Sequence, residues 1–219
     1  MLARIRISTI ILALSVAFIT GCVYDDEPTG LVIGRYNPEP TVSDQRCPVE
    51  TSTLKNGYSA VPAAWRPPST QERNWTAIVI HHSATASGNA SIFDRWHREK
   101  NNWDGVGYDF VIGNGTDSRD GQVEVTFRWR QQRTGAHCKT PGNWANEEAI
   151  GICLVGNFNK TCPTPRQLSA LRSLVNFLRK RYQIPISRIY GHRTTPGANG
   201  TDCPGRYFPL SRFKASLYR

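Results

Sequence analysis

Five histidines and six cysteines are spread over 219 residues, and three or four of them stand where they could hold a metal ion. His81 and His82 close an apolar, β-branched run, His192 follows the short run Arg188–Gly191, and Cys203 lies eleven residues further on. Two imidazoles and a thiolate form a good ligand set for zinc, and a catalytic zinc takes three protein ligands with the fourth position left open for water. Successive residues of a strand face opposite sides, so only one of His81 and His82 can enter a given site. On spacing alone, Cys203 serves equally as half of a disulfide, and a histidine at a strand end as a satisfied core or surface residue.

Such ligands need a sheet to carry them. Thr76–His82, Tyr108–Ile112, Gln122–Phe127 and Ile150–Val155 are strand-length runs rich in apolar and β-branched residues, and together they predict a central sheet. Ala90–Lys100 reads as a helix with Phe93, Trp96 and His97 at i, i+3 and i+4 on one face. Thr164, Pro165 and Gln167 supply an N-cap, a proline at the first helical position and a glutamine at the third, a capping-box pattern. Leu168, Leu171, Leu174, Val175 and Leu178 then form the core-facing stripe, leaving Arg172, Arg179 and Lys180 on a solvated basic face. A short closing helix is expected over Leu210–Tyr218. No internal repeat is found, and the alternation of strands and helices predicts a single α/β domain with a central mixed β-sheet flanked by helices.

Composition agrees with a folded domain. Hydrophobic residues make up 39%, aromatic ones 10%, and the formal net charge is +10, which excludes collagen-like, coiled-coil and wholly disordered chains. The apolar stretch Ile7–Ile19 follows Arg4 and Arg6; at about 13 residues it is too short to span a bilayer and reads as the core of a signal peptide. It ends in Ile19-Thr20-Gly21-Cys22, which resembles the bacterial lipobox. That resemblance implies cleavage before Cys22 and lipid on its thiol, with two or three acyl chains giving durable membrane anchoring. Loss of Arg4 and Arg6 with residues 1–21 lowers the net charge from +10 to +8. A basic surface outside the cytoplasm suits cell-wall polymers, lipid headgroups or stray nucleic acid, and charge does not choose among them. Residues 22–68, dense in proline and without a sustained period, read as a lipidated tether and irregular strap ahead of a domain over 69–219. With Cys22 and Cys203 set aside, Cys47, Cys138, Cys153 and Cys162 allow three disulfide pairings. The preferred one joins Cys47 to Cys162, pinning the strap to the loop before the capped helix, although nothing in the spacing demands it. Cys153, inside an apolar strand, reads as a buried thiol.

Six ordered blocks carry a closer likeness: Ile78–Thr85, Gly105–Ile112, Gly135-Ala136-His137, Ile150–Phe158, Gly191-His192-Arg193 and Thr201–Gly205. From about Trp75 to the C-terminus they resemble the zinc-dependent N-acetylmuramoyl-L-alanine amidases of type 2, in the branch shared by peptidoglycan recognition proteins and amidase-type phage endolysins. The resemblance implies an amidase-like fold, a zinc ion held by His81, His192 and Cys203, and hydrolysis of the amide between N-acetylmuramic acid and L-alanine. Tyr108 matches the active-site tyrosine. Thr201 stands where some relatives have a lysine and others a hydroxyl residue, so it would bring one hydrogen bond and no charge to the oxyanion. His82 falls at a variable position and is assigned no role. His137, Asn157, Trp103 and His97 match or adjoin the substrate groove, whereas Trp96 reads as core. Non-catalytic members of the recognition branch lack the cysteine ligand; the joint presence of His81, Tyr108, His192 and Cys203 therefore favours catalysis over a pure peptidoglycan-binding module. Peptidoglycan is the expected partner, nucleic acid is not, the chain is expected to be a monomer, and the membrane is met through lipid on Cys22. The expected location is the bacterial envelope, with sorting to the periplasmic face of an outer membrane in a diderm because Val23 rather than aspartate follows Cys22.

Overall fold

A computed structural model describes residue 47, residues 61–67 and residues 72–217. The expected signal peptide, Cys22 with its expected lipidation, and nearly all of the expected strap lie outside the described residues. Five strands, β1 (Ala77–His82), β2 (Phe110–Ile112), β3 (Val123–Val125), β4 (Ala149–Leu154) and β5 (Ile189–Gly191), form one sheet in the order β3-β2-β4-β1-β5. β1 pairs in parallel with β4 on one side and β5 on the other, β2 is parallel to β4, and β3 turns back antiparallel on β2. This is the mixed sheet that the sequence predicts.

Both faces are covered, which is why β1 and β4 are buried along their whole length and read as apolar runs rather than alternations. Ile78, Ile80, Ile150, Ile152 and Leu154 pack beneath helix α4 (Pro165–Tyr182) and Phe213 of α5 (Leu210–Ser216). The stripe of Leu168, Leu171, Leu174, Val175 and Leu178 is buried as its period requires, each side chain contributing about 1.5–3 kcal/mol. The opposite face carries Val111 and Cys153 under α1 (Ala90–Asn101), with Phe93 pressed onto them, and Val79 beside Ala145 and Cys138. α4 begins at the expected capping box: Thr164 accepts from the Gln167 backbone, and the Gln167 side chain accepts from Thr164 N–H. Asn89 caps α1 in the same way, accepting from Ile92 N–H at 2.8 Å.

Two expectations are corrected and one element is new. The run Gln122–Phe127 is a strand only over Val123–Val125, because Thr126 caps a short helix α2 (Phe127–Arg130), accepting from Arg128 N–H. Tyr108 precedes β2 instead of opening it: the neighbouring Asp109 bonds Gly151 with both its backbone N–H and its carboxylate, holding that segment just outside the ladder. Helix α3 (Trp144–Glu148) runs directly into β4 and was not foreseen, since five residues are too few to show a period. Among the described residues no helix is long and apolar enough to cross a membrane.

Candidate metal centre

The C-terminal ends of parallel strands collect functional groups, and here β1 and β5 deliver two imidazoles side by side. Ile80 is in register with Gly191, so the residues that follow, His81 and His192, emerge next to each other with ring centroids 4.7 Å apart. His81 points to the α1 face. His82 points to the other, where it accepts from Phe158 N–H at 3.0 Å and packs on the Phe158 ring. Cys203 arrives from the loop after β5 and is pinned there: Arg193 N–H donates to its carbonyl at 2.8 Å, and His82 N–H reaches its Sγ at 3.4 Å.

His81, His192 and Cys203 are brought together so that one ligand atom from each lies within 4.8 Å of the others. His81 Nδ1 and Cys203 Sγ are 3.5 Å apart. Tetrahedral zinc at ordinary Zn–N and Zn–S bond lengths puts such atoms about 3.6 Å apart, so this pair fits that ion in size and the three donors fit it in chemistry. Burial, reinforced by the neighbouring imidazoles, keeps His81 far below the usual histidine range, and burial lowers His192 as well. Both rings are therefore neutral at pH 7, as metal ligands must be. Burial pushes the Cys203 thiol up to about 12; its sulfur must lose a proton when a cation arrives.

Tyr108 lies over this cluster, its ring 5.2 Å from that of His81. Its carbonyl accepts from Thr126 Oγ1 at 2.7 Å, which fixes the residue to the start of α2. Burial raises the phenol well above its ordinary value, with the Cys153 and Cys203 thiols adding to the shift, so the hydroxyl stays protonated. Thr201 Oγ1 accepts from Cys203 N–H at 3.2 Å, which leaves its own proton free to donate.

Beside the cluster opens a groove of about 520 Å³. Trp103, Lys139, Asn143, Asn199 and Thr201 line it together with His192. Trp103 is exposed and stacks edge-on against His97, at 4.9 Å. His97 is half-buried: its Nδ1 accepts from Gly107 N–H at 3.0 Å, so it supports Trp103 and Tyr108 from behind. The structure does not bring Asn157 into the groove; its side chain accepts from Asn159 N–H and closes the turn after β4. His137 touches the groove but has both ring nitrogens engaged inside the protein, with His81 Nε2 at 3.1 Å and the Ala149 carbonyl at 3.2 Å. Burial lowers it to about 3.

Sequence reasoning passed over Lys139, an exposed cation on the groove, and Asn146, whose Oδ1 accepts from both His137 and Cys138 backbone N–H. It also passed over the Cys153 thiol against the Tyr108 hydroxyl. The signal for the last was in the pairing, since Cys153 is in register with His81. Cys47 and Cys162 are joined by a disulfide, while Cys138, Cys153 and Cys203 are free thiols. A second depression, of about 580 Å³ between α1 and α2, is lined by Asp94, Asp104, Arg98 and Arg133, which pair among themselves and with Arg128.

Comparison with known proteins places this geometry among relatives. Residues 71–206 match the family model described as N-acetylmuramoyl-L-alanine amidase. The endolysin of Escherichia phage T7 is 34% identical over 151 residues, covering 65% of this chain and 87% of the endolysin. Peptidoglycan-recognition protein SC1a of Drosophila melanogaster is 33% identical over 138 residues, covering 59% of this chain and 67% of that protein. Among solved structures, the N-acetylmuramoyl-L-alanine amidase LysC from Clostridium intestinale URNW superposes with a TM-score of 0.56 at 31% identity, covering 66% of this chain and 86% of that one.

Proposed function

This chain belongs to the N-acetylmuramoyl-L-alanine amidase family, and from that premise we propose that it is a zinc-dependent hydrolase of the amide between N-acetylmuramic acid and the L-alanine of the peptidoglycan stem. The observation that carries the proposal is the convergence of His81, His192 and Cys203 within 4.8 Å under the Tyr108 ring. Those three residues would hold the ion. When bound, zinc supplies a Lewis acid for the amide carbonyl and lowers the pKa of water towards about 7.

The chain's own groups supply the rest. Neutral His81 and His192 and a deprotonated Cys203 would hold the ion at the edge of the groove that His192 lines. The Tyr108 hydroxyl, kept protonated by burial, donates to the carbonyl oxygen as negative charge builds on it, and Thr201 adds a second neutral donor. The amine that departs takes up a proton before it leaves. Trp103 offers a flat apolar face suited to a sugar ring, and Lys139 a positive charge suited to the carboxylates of the stem.

Mass spectrometry of products released from purified peptidoglycan tests this reading. Free stem peptides beginning with L-alanine are expected, and they are lost in Cys203→Ala and after chelation. Binding of peptidoglycan by the zinc-loaded protein with no product released would make the domain a recognition module instead.

The domain bounds, 1–21 for a signal peptide, 22–68 for a lipidated strap and 69–219 for the amidase domain, belong to the same proposal, as does an envelope location. A disulfide is what an exported protein retains. Radiolabelled fatty acid fed to producing cells is expected to label the wild-type protein and not Cys22→Ser.

A further inference from the structure

One hydrogen bond of His137 leaves no choice of direction, and it orients the whole chain of bonds behind the metal centre. The carbonyl oxygen of Ala149, 3.2 Å from His137 Nε2, can only accept. The proton of the neutral His137 ring is therefore on Nε2, and its Nδ1 is an acceptor. That acceptor faces His81 Nε2 at 3.1 Å, so Nε2 carries the proton of the His81 ring. His81 Nδ1, the atom 3.5 Å from Cys203 Sγ, is left with its lone pair free. We propose that His137 is a positioning residue for the metal centre: it selects the tautomer of His81 and fixes the rotation of that ring, so that Nδ1 is the atom presented to the ion.

The surroundings of His137 are built for its ring. A Cβ at Gly135 would stand 2.6 Å from His137 Cδ2, and a Cβ at Gly151 would stand 2.5 Å from the same atom, so two glycines open the slot in which the imidazole lies. Asn146 fixes the backbone around it, accepting from His137 and Cys138 N–H at 2.8 and 2.9 Å while its own carbonyl accepts from Gly135 N–H. Only 7% of His137 and 1% of His81 are exposed, so water does not replace the bond between them. Without that acceptor, the neutral His81 ring also populates the form protonated on Nδ1, which cannot ligate. Outer-shell partners of this kind change metal affinity by about 10- to 100-fold.

The inference rests on the zinc reading above, and two measurements on the whole protein separate the two. Zinc affinity is measured by competition with a chromophoric chelator for wild type, His137→Phe and His137→Asn. The phenylalanine, similar in bulk with no acceptor, is expected to weaken zinc binding about 10- to 100-fold, and asparagine, whose Oδ1 stands near the position of Nδ1, to recover part of the loss. In the metal-stripped wild type, nitrogen-15 NMR of the imidazoles is expected to find His81 protonated on Nε2 and His137 on Nε2. The NMR arm decides the question if the phenylalanine variant does not fold. A His81 ring protonated on Nδ1, or a folded His137→Phe that holds zinc as tightly as wild type, overturns the positioning role and leaves the zinc reading standing. A wild-type protein that takes up no zinc removes both.

Discussion

At the scale of single residues, burial is what sets the chemistry of the site. His81 and His192 are already neutral at pH 7, whereas the Cys203 thiol is held up at about 12 in the absence of an ion. On the proposed zinc reading, uptake of the ion displaces one proton, from Cys203, and none from the imidazoles. The sign follows: apparent zinc affinity is expected to rise about tenfold per pH unit between pH 7 and 9, as chelator competition at several pH values would read. A flat profile would mean that the thiol is not a ligand. Tyr108→Phe is expected to lower kcat by about 10²-fold or more, the cost typical of losing an oxyanion donor, with zinc content unchanged, because the phenol lies over the ligands rather than among them. The family resemblance pointed to His81, His192 and Cys203, which the fold does bring together, whereas spacing alone left Cys203 open as half of a disulfide. The place of His137 was not legible in the chain. Its position suggested a substrate contact, and only the ring geometry reveals that both nitrogens already have partners in the protein.

At the scale of elements, the sheet positions the ligands by register and the caps position the sheet. Gln167 is the strongest case. Besides closing the capping box of α4, its buried amide donates to the carbonyls of Ile112 and Val155, at 3.2 and 2.9 Å, tying the helix start to the ends of β2 and β4. Thr164→Ala is expected to cost about 1 kcal/mol as the loss of an N-cap. Gln167→Ala is expected to cost more, about 1–3 kcal/mol for the Val155 carbonyl it leaves without that donor, while the Ile112 carbonyl keeps Val155 N–H at 2.9 Å; both are measured by urea unfolding with an unchanged slope. The capped helix was readable because its period and its cap agree, and β1 and β4 because both are buried along their whole length as apolar runs. The strand over Val123–Val125 was overdrawn because Thr126 is β-branched and so looks like strand, while its hydroxyl was already committed as a helix cap. α3 stayed hidden because its formation depends on packing of Ala145 against β1 and β4 rather than on a pattern of its own.

At the scale of the whole molecule, one covalent link stands out. The disulfide between Cys47 and Cys162 closes a loop of 115 residues, which in the chain-entropy picture stabilises the fold by about 4 to 5 kcal/mol. The double variant Cys47→Ser, Cys162→Ser is expected to lose about 2–5 kcal/mol and to bind added zinc as wild type does, since neither sulfur belongs to the His81–His192–Cys203 cluster; thermal unfolding and metal titration would read the two separately. That pairing was one of three open in the sequence, because loop geometry decides between cysteines and composition does not. The link also determines where mechanical load enters. Tension applied to the chain ahead of Cys47 passes through one sulfur–sulfur bond to Cys162, two residues before the cap of α4. That load is delivered beside the N-terminus of α4, where the apolar stripe of the helix is already packed on the sheet.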